Sequence, residues 1–143
     1  FEQIVLRVFA TFRGAVTKKN LSLSHKIFPQ VPDVIGDVHR IEHVFSNLLS
    51  NAIKFSPEGA SVRVEILCDL RFTGPDGDEI ANVTVAVKDE GGGISVEDQG
   101  KLFNSFVQLR PGTLQKGQGS GLGLSFCKQI VRFHKGVIGV ASI

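Results

Sequence analysis

Hydrophobic positions recur along the first half of the chain with two different periods, which predict its elements. Apolar side chains of the first 20 residues fall at helical spacing and predict a helix of about four turns. Residues 21–27 instead alternate between apolar and polar, as in a half-buried strand that ends before Pro29. A longer amphipathic pattern then predicts a helix from an N-cap at Asp37 to about Phe55.

The middle of the chain predicts a hairpin followed by a short helix. Residues 62–68 and 83–87 both alternate with period two, and the turn-forming residues 73–78 lie between them. Ser95, followed three residues later by Asp98, resembles a capping box. It predicts a short helix that carries Leu102.

The last third of the chain predicts a loop, a helix and a strand. Residues 110–121 are rich in glycine and poor in apolar side chains, which is typical of a loop. Residues 122–134 return to helical spacing, and residues 136–142 predict a terminal strand. The element order predicts an α/β (α+β) two-layer sandwich, in which helices cover one face of a mixed sheet.

Composition narrows the possible partners. The 143 residues are 42% hydrophobic with a net charge of +2, which suits one domain spanning 1–143. Basic residues are scattered, and no apolar run approaches the roughly 18 residues of a membrane span, so we expect contact with neither nucleic acid nor membrane. The chain has no Met, so we expect an excised piece of a longer protein. Cys68 and Cys127 lack paired spacing, which favours reduced thiols.

The polar face of the predicted helix 37–55 carries candidate chemistry. His43, Asn47, Asn51 and Lys54 lie near one another on it at helical spacing. Asparagine is a mediocre helix former, so two of them one turn apart beside an apolar stripe indicate a site for phosphate and magnesium. A solvated polar face is the alternative.

The same helix also contains a zinc-like pattern. His39, Glu42 and His43 spell H-x-x-E-H, in which two histidines hold zinc and the glutamate activates water. No partner helix with a third ligand is evident, and zinc would explain none of the glycine motifs. The phosphate interpretation is therefore preferred.

Two glycine motifs follow in the second half. Asp89 ends a predicted strand and precedes Gly91 and Gly93, so its carboxylate is placed to accept from the amino group of adenine; a tight turn is the alternative. Residues 117–124, GQGSGLGL, lead directly into a helix whose amides can bind an anion such as a triphosphate. They match neither G-x-G-x-x-G nor the P-loop.

Taken in order, N-x-x-x-N-A-x-K-F, D-x-G-x-G-I, L-F-x-x-F and G-x-G-L-G-L resemble the catalytic, ATP-binding domain of sensor histidine kinases. These kinases belong to a superfamily with gyrase, chaperone and mismatch-repair ATPases. The resemblance covers nearly the whole chain, including the lead-in from Asp37 to Ile41 and His134 with Gly136 after the last helix. It implies the Bergerat-type ATP-binding fold, with ATP and Mg²⁺ as cofactors.

The resemblance also implies a role for each motif residue. Asn47 and Asn51 match the asparagines that hold magnesium and phosphates, with Asn51 as the metal ligand, and Lys54 matches the lysine near the phosphates. These three are the implied catalytic residues. The remaining implied nucleotide contacts are Asp89 to adenine, Gly91 and Gly93 in the first glycine box, Phe103 and Phe106 in the lid, and Gly119, Gly121, Leu122 and Gly123 in the second glycine box.

Residue 47 separates a kinase from a hydrolase. Related ATPases typically have a glutamate there that activates water, whereas Asn47 has no useful basicity, which favours phosphate transfer. The resemblance implies two partners: a phosphoacceptor histidine on the dimerisation domain of the parent chain, and a response-regulator receiver domain. It also implies a cytoplasmic location. No phosphoacceptor helix is evident, so we expect no autophosphorylation by this fragment. A nucleotide-sensing module without transfer and a serine kinase of the same fold remain alternatives.

The chain departs from the family pattern in three places. His43 stands where the family usually has glutamine, Lys135 replaces a common glycine, and the chain ends before the family's last strand. Arg110 and Lys116 are placed to reach phosphate from the lid, with a solvated loop as the alternative.

Overall fold

The computed structural model describes residues 1–29, 31–73, 79–107 and 121–142, with backbone alone for 69–73 and 79–81. None of the helices in these ranges has the length and apolar character needed to cross a membrane. The elements are α1 (Glu2–Lys18), β1 (Ser22–Ile27), α2 (Val38–Phe55), β2 (Ser61–Thr73), β3 (Glu79–Asp89), α3 (Val96–Gln99) and α4 (Gly123–Phe133).

The sheet is mixed, and β2 is its central strand, parallel to β1 and antiparallel to β3. Val62, Val64 and Ile66 alternate along β2 and are fully buried on one face. On the opposite face Glu65 pairs with Lys88 at 2.6 Å, and the hydrogen bond from that ammonium lowers the pKa of Glu65. One face is therefore apolar and the other polar, as the predicted two-layer sandwich requires.

The main core lies between the apolar face of the sheet and helices α1 and α2. Burial of each large aliphatic side chain in it contributes about 1.5–3 kcal/mol. Its buried members are Ile4, Val5, Val8, Leu21, Phe45, Leu49, Ala52, Ile53, Ala60, Val62, Val64 and Ile66. The core thus fixes α2 over the sheet and turns its polar side outward.

A tight turn connects α1 to β1. The N–H of Leu21 donates to the oxygen of Val16 at 3.0 Å, and Asn20 adopts a left-handed conformation with φ 52°. This pairing is the Schellman arrangement that ends many helices, in which asparagine tolerates the left-handed position. The chain reverses there, which places Lys19 beside the end of α2.

The predicted short helix is confirmed at its start but not at its end. Ser95 Oγ accepts from the N–H of Asp98 at 3.2 Å, as the capping pattern implies. α3 nevertheless ends at Gln99, so the prediction that it carries Leu102 is wrong. Gly100 follows immediately, and glycine disfavours continuation of a helix because it loses the most backbone freedom on ordering.

The predicted terminal strand is also wrong, because residues 136–142 form no strand pairing in the described part of the chain. Ile138 instead packs on the second, smaller core cluster of Val44, Cys127 and Ile130. Ser142 Oγ accepts from the N–H of Ile94 at 2.9 Å, a contact with a side chain rather than a ladder. Alternating residues do not by themselves supply a neighbouring strand. The predicted loop, residues 110–121, lies outside the described residues except at Gly121.

Candidate functional site

Helix α2 carries the first group of predicted site residues. Asp37 caps it, since its Oδ1 accepts from the N–H of Arg40 at 3.1 Å. Asn47, Asn51 and Lys54 are half-buried on the side that faces away from the core. At 1.5 Å rise per residue, Asn47 and Asn51 lie about 6 Å apart along the axis, and the end of the helix about 12 Å from Asn47. The helix therefore offers polar groups along the length of an elongated ligand.

The first residue of α4 lies directly against Asn47. A Cβ on Gly123 would overlap Asn47 Oδ1 and lie 3.1 Å from Asn47 Cγ, so only glycine permits this approach. The N-terminal turn of α4, whose first N–H groups have no partner within the helix, is thereby brought beside the Asn47 amide. An anion bound at this helix end would meet both.

The segment before α4 contacts the predicted lid aromatics. The N–H of Phe106 donates to the oxygen of Gly121 at 3.1 Å, and a Cβ on Gly121 would lie 3.0 Å from the Phe106 carbonyl carbon. Gly121 has φ 70°, which favours glycine. Phe106 is 76% exposed and Phe103 half-buried. Gly119, like Arg110 and Lys116, lies outside the described residues.

The other end of α2 meets the turn after β3. The N–H of Gly91 donates to Asp89 Oδ1 at 2.8 Å, which leaves Oδ2 able to accept from a ligand. A Cβ on Gly91 would lie 2.7 Å from Asp89 Oδ1 and 3.3 Å from the oxygen of Phe55. Gly93 has φ 70°, another conformation that favours glycine. The Lys54 ammonium lies 5.2 Å from the Phe55 ring centroid, at this same end.

The predicted residues therefore meet in three places, two of which lie on α2. Gly123 meets Asn47, Gly121 meets Phe106, and Gly91 joins Asp89 to Phe55. Asn51 lies between Asn47 and Phe55 on the same helix. Residues from the two glycine motifs, which are distant in sequence, thus contact α2, one at Asn47 and the other at Phe55.

The contacts of Glu42 and His43 argue against the zinc interpretation. Glu42 Oε2 accepts from Arg7 Nη2 at 3.0 Å, which ties α2 to α1 and gives Glu42 a structural partner. The ring of His43 lies 5.3 Å from that of Phe126. Within the described ranges, no three His, Cys, Asp or Glu side chains are grouped to hold a metal ion.

A contact that sequence reasoning missed holds the far end of α4. His134 Nε2 accepts from the N–H of Asp37 at 3.0 Å, while Nδ1 lies 2.8 Å from the oxygen of Ile130. These partners assign the neutral tautomer with the proton on Nδ1. Between the two ends of α4, Cys127 is fully buried, and burial raises the pKa of its thiol to about 11. Helix α4 is thus fixed to α2 along its length.

A cavity of about 630 Å³ opens away from this site. It lies between the start of α1, the end of β1 and residues 31–41, and it includes none of the predicted site residues. Its two basic lining residues are engaged with aromatic rings: His25 packs edge-on against Phe9, and Lys26 lies over Phe28. The candidate site is therefore identified by its convergent polar groups rather than by this cavity.

Comparison with known proteins agrees with the motif order. Residues 36–143 match the family described as histidine kinase-, DNA gyrase B-, and HSP90-like ATPase. The chain is 35% identical over 143 residues to hybrid signal transduction histidine kinase K of Dictyostelium discoideum, covering 96% of this chain and 12% of that protein. It is 35% identical over 141 residues to sensor histidine kinase RcsC of Escherichia coli K12, covering 98% and 14%.

The fold is also similar to that of a solved histidine kinase catalytic domain. The nucleotide-free catalytic domain of histidine kinase ThkA superposes with a TM-score of 0.71 at 27% identity, covering 94% of this chain and 78% of that one. The chain spans only 12% to 14% of the length of the two curated relatives above. The shared region is thus a catalytic-domain-sized part of much longer proteins.

Proposed function

The chain belongs to the histidine kinase-, DNA gyrase B- and HSP90-like ATPase family, and from this premise we propose that it binds Mg²⁺–ATP and transfers the γ-phosphate to a histidine. The acceptor histidine would lie on a separate dimerisation domain, in two-component phosphorelay signalling. The observation that carries the proposal is the approach of Gly123 to Asn47, which brings the N-terminus of α4 onto the polar face of α2.

Adenine recognition rests on Asp89. Gly91 fixes one carboxylate oxygen, so Oδ2 is oriented to accept from the exocyclic amino group of adenine. Guanine has a carbonyl at that position and would place oxygen against oxygen. The turn is therefore suited to ATP rather than GTP.

Phosphate and metal binding rest on Asn47, Asn51 and α4. Amide oxygens are hard ligands that suit Mg²⁺, and the missing Cβ of Gly123 leaves room beside Asn47. Asn51 would hold the metal, with Asn47 and the first amides of α4 on the phosphates. Bound Mg²⁺ supplies neutralisation of phosphate charge. Asn47 cannot take a proton from water, which disfavours hydrolysis.

Transfer then requires a nucleophile from outside this chain. The unprotonated nitrogen of the acceptor imidazole attacks the γ-phosphorus with its lone pair, so that a phosphorus–nitrogen bond forms as the bond between the γ-phosphorus and the ADP oxygen breaks. The electron pair of the broken bond stays on ADP, and the proton on the other imidazole nitrogen can then pass to solvent. ADP is the leaving group. The chain's residues contribute by orienting the phosphates and excluding water.

An apolar stripe on α4 suits the acceptor domain. Leu122, Phe126 and Phe133 lie four and seven residues apart, on one helix face, and are 39%, 43% and 75% exposed. The stripe begins at the phosphate end of α4, and Phe126 contacts His43 one turn before Asn47. A helix of the dimerisation domain packed here would bring its histidine to the phosphates. A receiver domain would take the phosphate next, in the cytoplasm.

ATP affinity measured by calorimetry on the 143-residue chain tests the site. We expect Asp89→Asn and Asn51→Ala each to weaken Mg²⁺–ATP binding by more than about tenfold, about 1.4 kcal/mol. Glu90→Gln is the matched control, because it removes the same charge beside Asp89. Glu90 binds the N–H of Ser61, and its amide variant can still accept that bond. Near-normal binding by both site variants would refute the assignment.

A further inference from the structure

We propose that Lys19 is a positioning residue for the nucleotide site, an inference that rests on the proposed function. Its ammonium holds the C-terminal turn of α2 in the conformation that sets Phe55 against the Asp89–Gly91 turn. Lys19 lies before residue 36, where the family match begins.

The ammonium of Lys19 is fully engaged with backbone. Its Nζ donates to three carbonyl oxygens, those of Ile53 at 2.8 Å, Lys54 at 3.1 Å and Ser56 at 2.5 Å. An ammonium group has three donors, so these contacts use all of them. The side chain is part-buried, which limits competition from water.

These oxygens need an outside partner. The last carbonyls of a helix lack partners within the helix, and the helix dipole makes this end negative. Ser56 donates from both its N–H and its Oγ–H to the oxygen of Ala52, so neither donor reaches the later carbonyls of the helix. Pro57 follows and has no N–H to donate. The Lys19 cation therefore supplies both donors from outside the helix and the favourable charge.

The backbone of Lys19 holds the other side of the same segment. Its carbonyl oxygen accepts from the N–H of Gly59 at 3.0 Å. The left-handed turn at Asn20 directs the chain so that both contacts form at once. Residues 53–59 are thereby clamped from two sides by one residue of the preceding turn.

The clamped segment borders the nucleotide site. A Cβ on Gly91 would lie 3.3 Å from the Phe55 oxygen, so the two backbones are already near contact, and Gly91 in turn orients Asp89. Movement of the α2 terminus by a fraction of an ångström would displace this turn. Lys19 would thus act on adenine binding through Phe55 and Gly91, without touching the ligand.

Substitution of Lys19 tests the proposal, with its neighbour as the control. Lys19→Met keeps an unbranched stem but removes the ammonium, and we expect Mg²⁺–ATP affinity to fall about tenfold. Lys18→Met removes the same charge from an exposed position, and we expect a change of less than about twofold. Equal affinities for the two variants would overturn the proposal. Val8→Ala, a buried change on α1, controls for general destabilisation, and an equal loss of affinity there would also overturn it.

Amide NMR signals of the ligand-free chain provide the second readout. We expect Lys19→Met to shift the Gly91 amide signal and Lys18→Met to leave it unchanged. Lys19→Arg keeps the charge and should fold, but one planar guanidinium does not reproduce three bonds from a single nitrogen, so the same shift is expected. An unmoved Gly91 signal in the folded Lys19 variants would overturn positioning. Failure of the wild-type chain to bind ATP would instead refute the proposed function.

Discussion

At the scale of single residues, glycines at the site differ from other glycines in the atoms that an added Cβ would contact. Gly91 and Gly123 leave room for the oxygens of Asp89 and Asn47, respectively. Gly14, one turn before the end of α1, has no atom beyond its own helix backbone and chain neighbours within 4 Å of where its Cβ would lie. The first two glycines are therefore required by close approach, whereas the third only weakens its helix.

Alanine substitution separates these two kinds of glycine. In Gly91→Ala the new Cβ would lie 2.7 Å from Asp89 Oδ1, so the carboxylate must rotate and lose the bond from residue 91. We expect ATP affinity to fall about tenfold, since a hydrogen bond to a charged group contributes about 1.5–3 kcal/mol. Gly14→Ala should instead raise the free energy of unfolding by about 0.5–1 kcal/mol and leave affinity unchanged. Calorimetry and urea denaturation measure both, and an unchanged affinity for Gly91→Ala would contradict the account.

At the scale of elements, α1 and α4 end in the same motif with different residues at its left-handed position. In α4 the N–H of Gly136 donates to Val131 at 2.9 Å, and Lys135 has φ 58°. In α1 this position holds Asn20, a residue that tolerates the conformation better. Lys135, which we predict to stand where the family pattern has glycine, therefore occupies the left-handed position of this turn, where a side chain is most strained.

Restoring glycine there should stabilise the chain. We expect Lys135→Gly to raise the free energy of unfolding by about 1 kcal/mol, because a left-handed residue with a Cβ costs about 1–2 kcal/mol. The matched change Asn20→Gly should give a smaller gain. Urea denaturation compares the two with the wild type. A larger gain for Asn20→Gly, or a loss for Lys135→Gly, would show that backbone strain does not govern this turn.

The N-cap of α2 predicts a pH dependence. The hydrogen bond from the N–H of Arg40 lowers the pKa of Asp37 below its usual 3.8. A lowered folded-state pKa stabilises the fold above the unfolded-state pKa, and this stabilisation is lost as pH falls through the lowered value. Asp37→Asn still caps the helix. The wild type should therefore melt higher than Asp37→Asn at pH 7, with a difference that shrinks by pH 3.

Asp37→Ala is the second arm of that experiment. It removes the cap as well as the charge, so it should melt lower than Asp37→Asn at pH 7 and at pH 3. Thermal denaturation followed by circular dichroism gives all three curves. A wild-type advantage over Asp37→Asn that grows on acidification would contradict the assigned direction of the pKa shift.

At the scale of the whole molecule, local patterns predicted the elements, and long-range contacts account for what they missed. The apolar stripe of α2 and the alternation in β2 and β3 predicted those elements, although β2 extends to Thr73 and β3 begins at Glu79, beyond the alternating residues 62–68 and 83–87. The hydrogen bonds from Lys19 Nζ join residues about 35 positions apart, and the hydrogen bond between Asp37 and His134 joins residues 97 positions apart. Neither of these contacts produces a periodic pattern in the sequence. The prediction of a strand at residues 136–142 was wrong for the same reason, because strand pairing requires a partner from a distant part of the sequence.

The exposed stripe of α4 allows binding and transfer to be separated. We expect Phe133→Ser to lower the rate of transfer to a supplied dimerisation domain by about tenfold, because exposed aromatics anchor interfaces. Its ATP affinity should change by less than about twofold. Val96→Ser is the control, because Val96 is 86% exposed on α3, away from the stripe. Equal transfer by the two variants would contradict a docking role for α4.

The most direct test of the central claim is transfer of radiolabelled γ-phosphate from ATP to a supplied phosphoacceptor domain. We expect label on the acceptor that is lost in acid and retained in base, no label on the 143-residue chain itself, and little free phosphate. Asn51→Ala should abolish the labelling. Acid-stable label would indicate a serine kinase instead, and steady release of phosphate would indicate a hydrolase. Tight ATP binding with no transfer would contradict the kinase assignment and leave a nucleotide-sensing module.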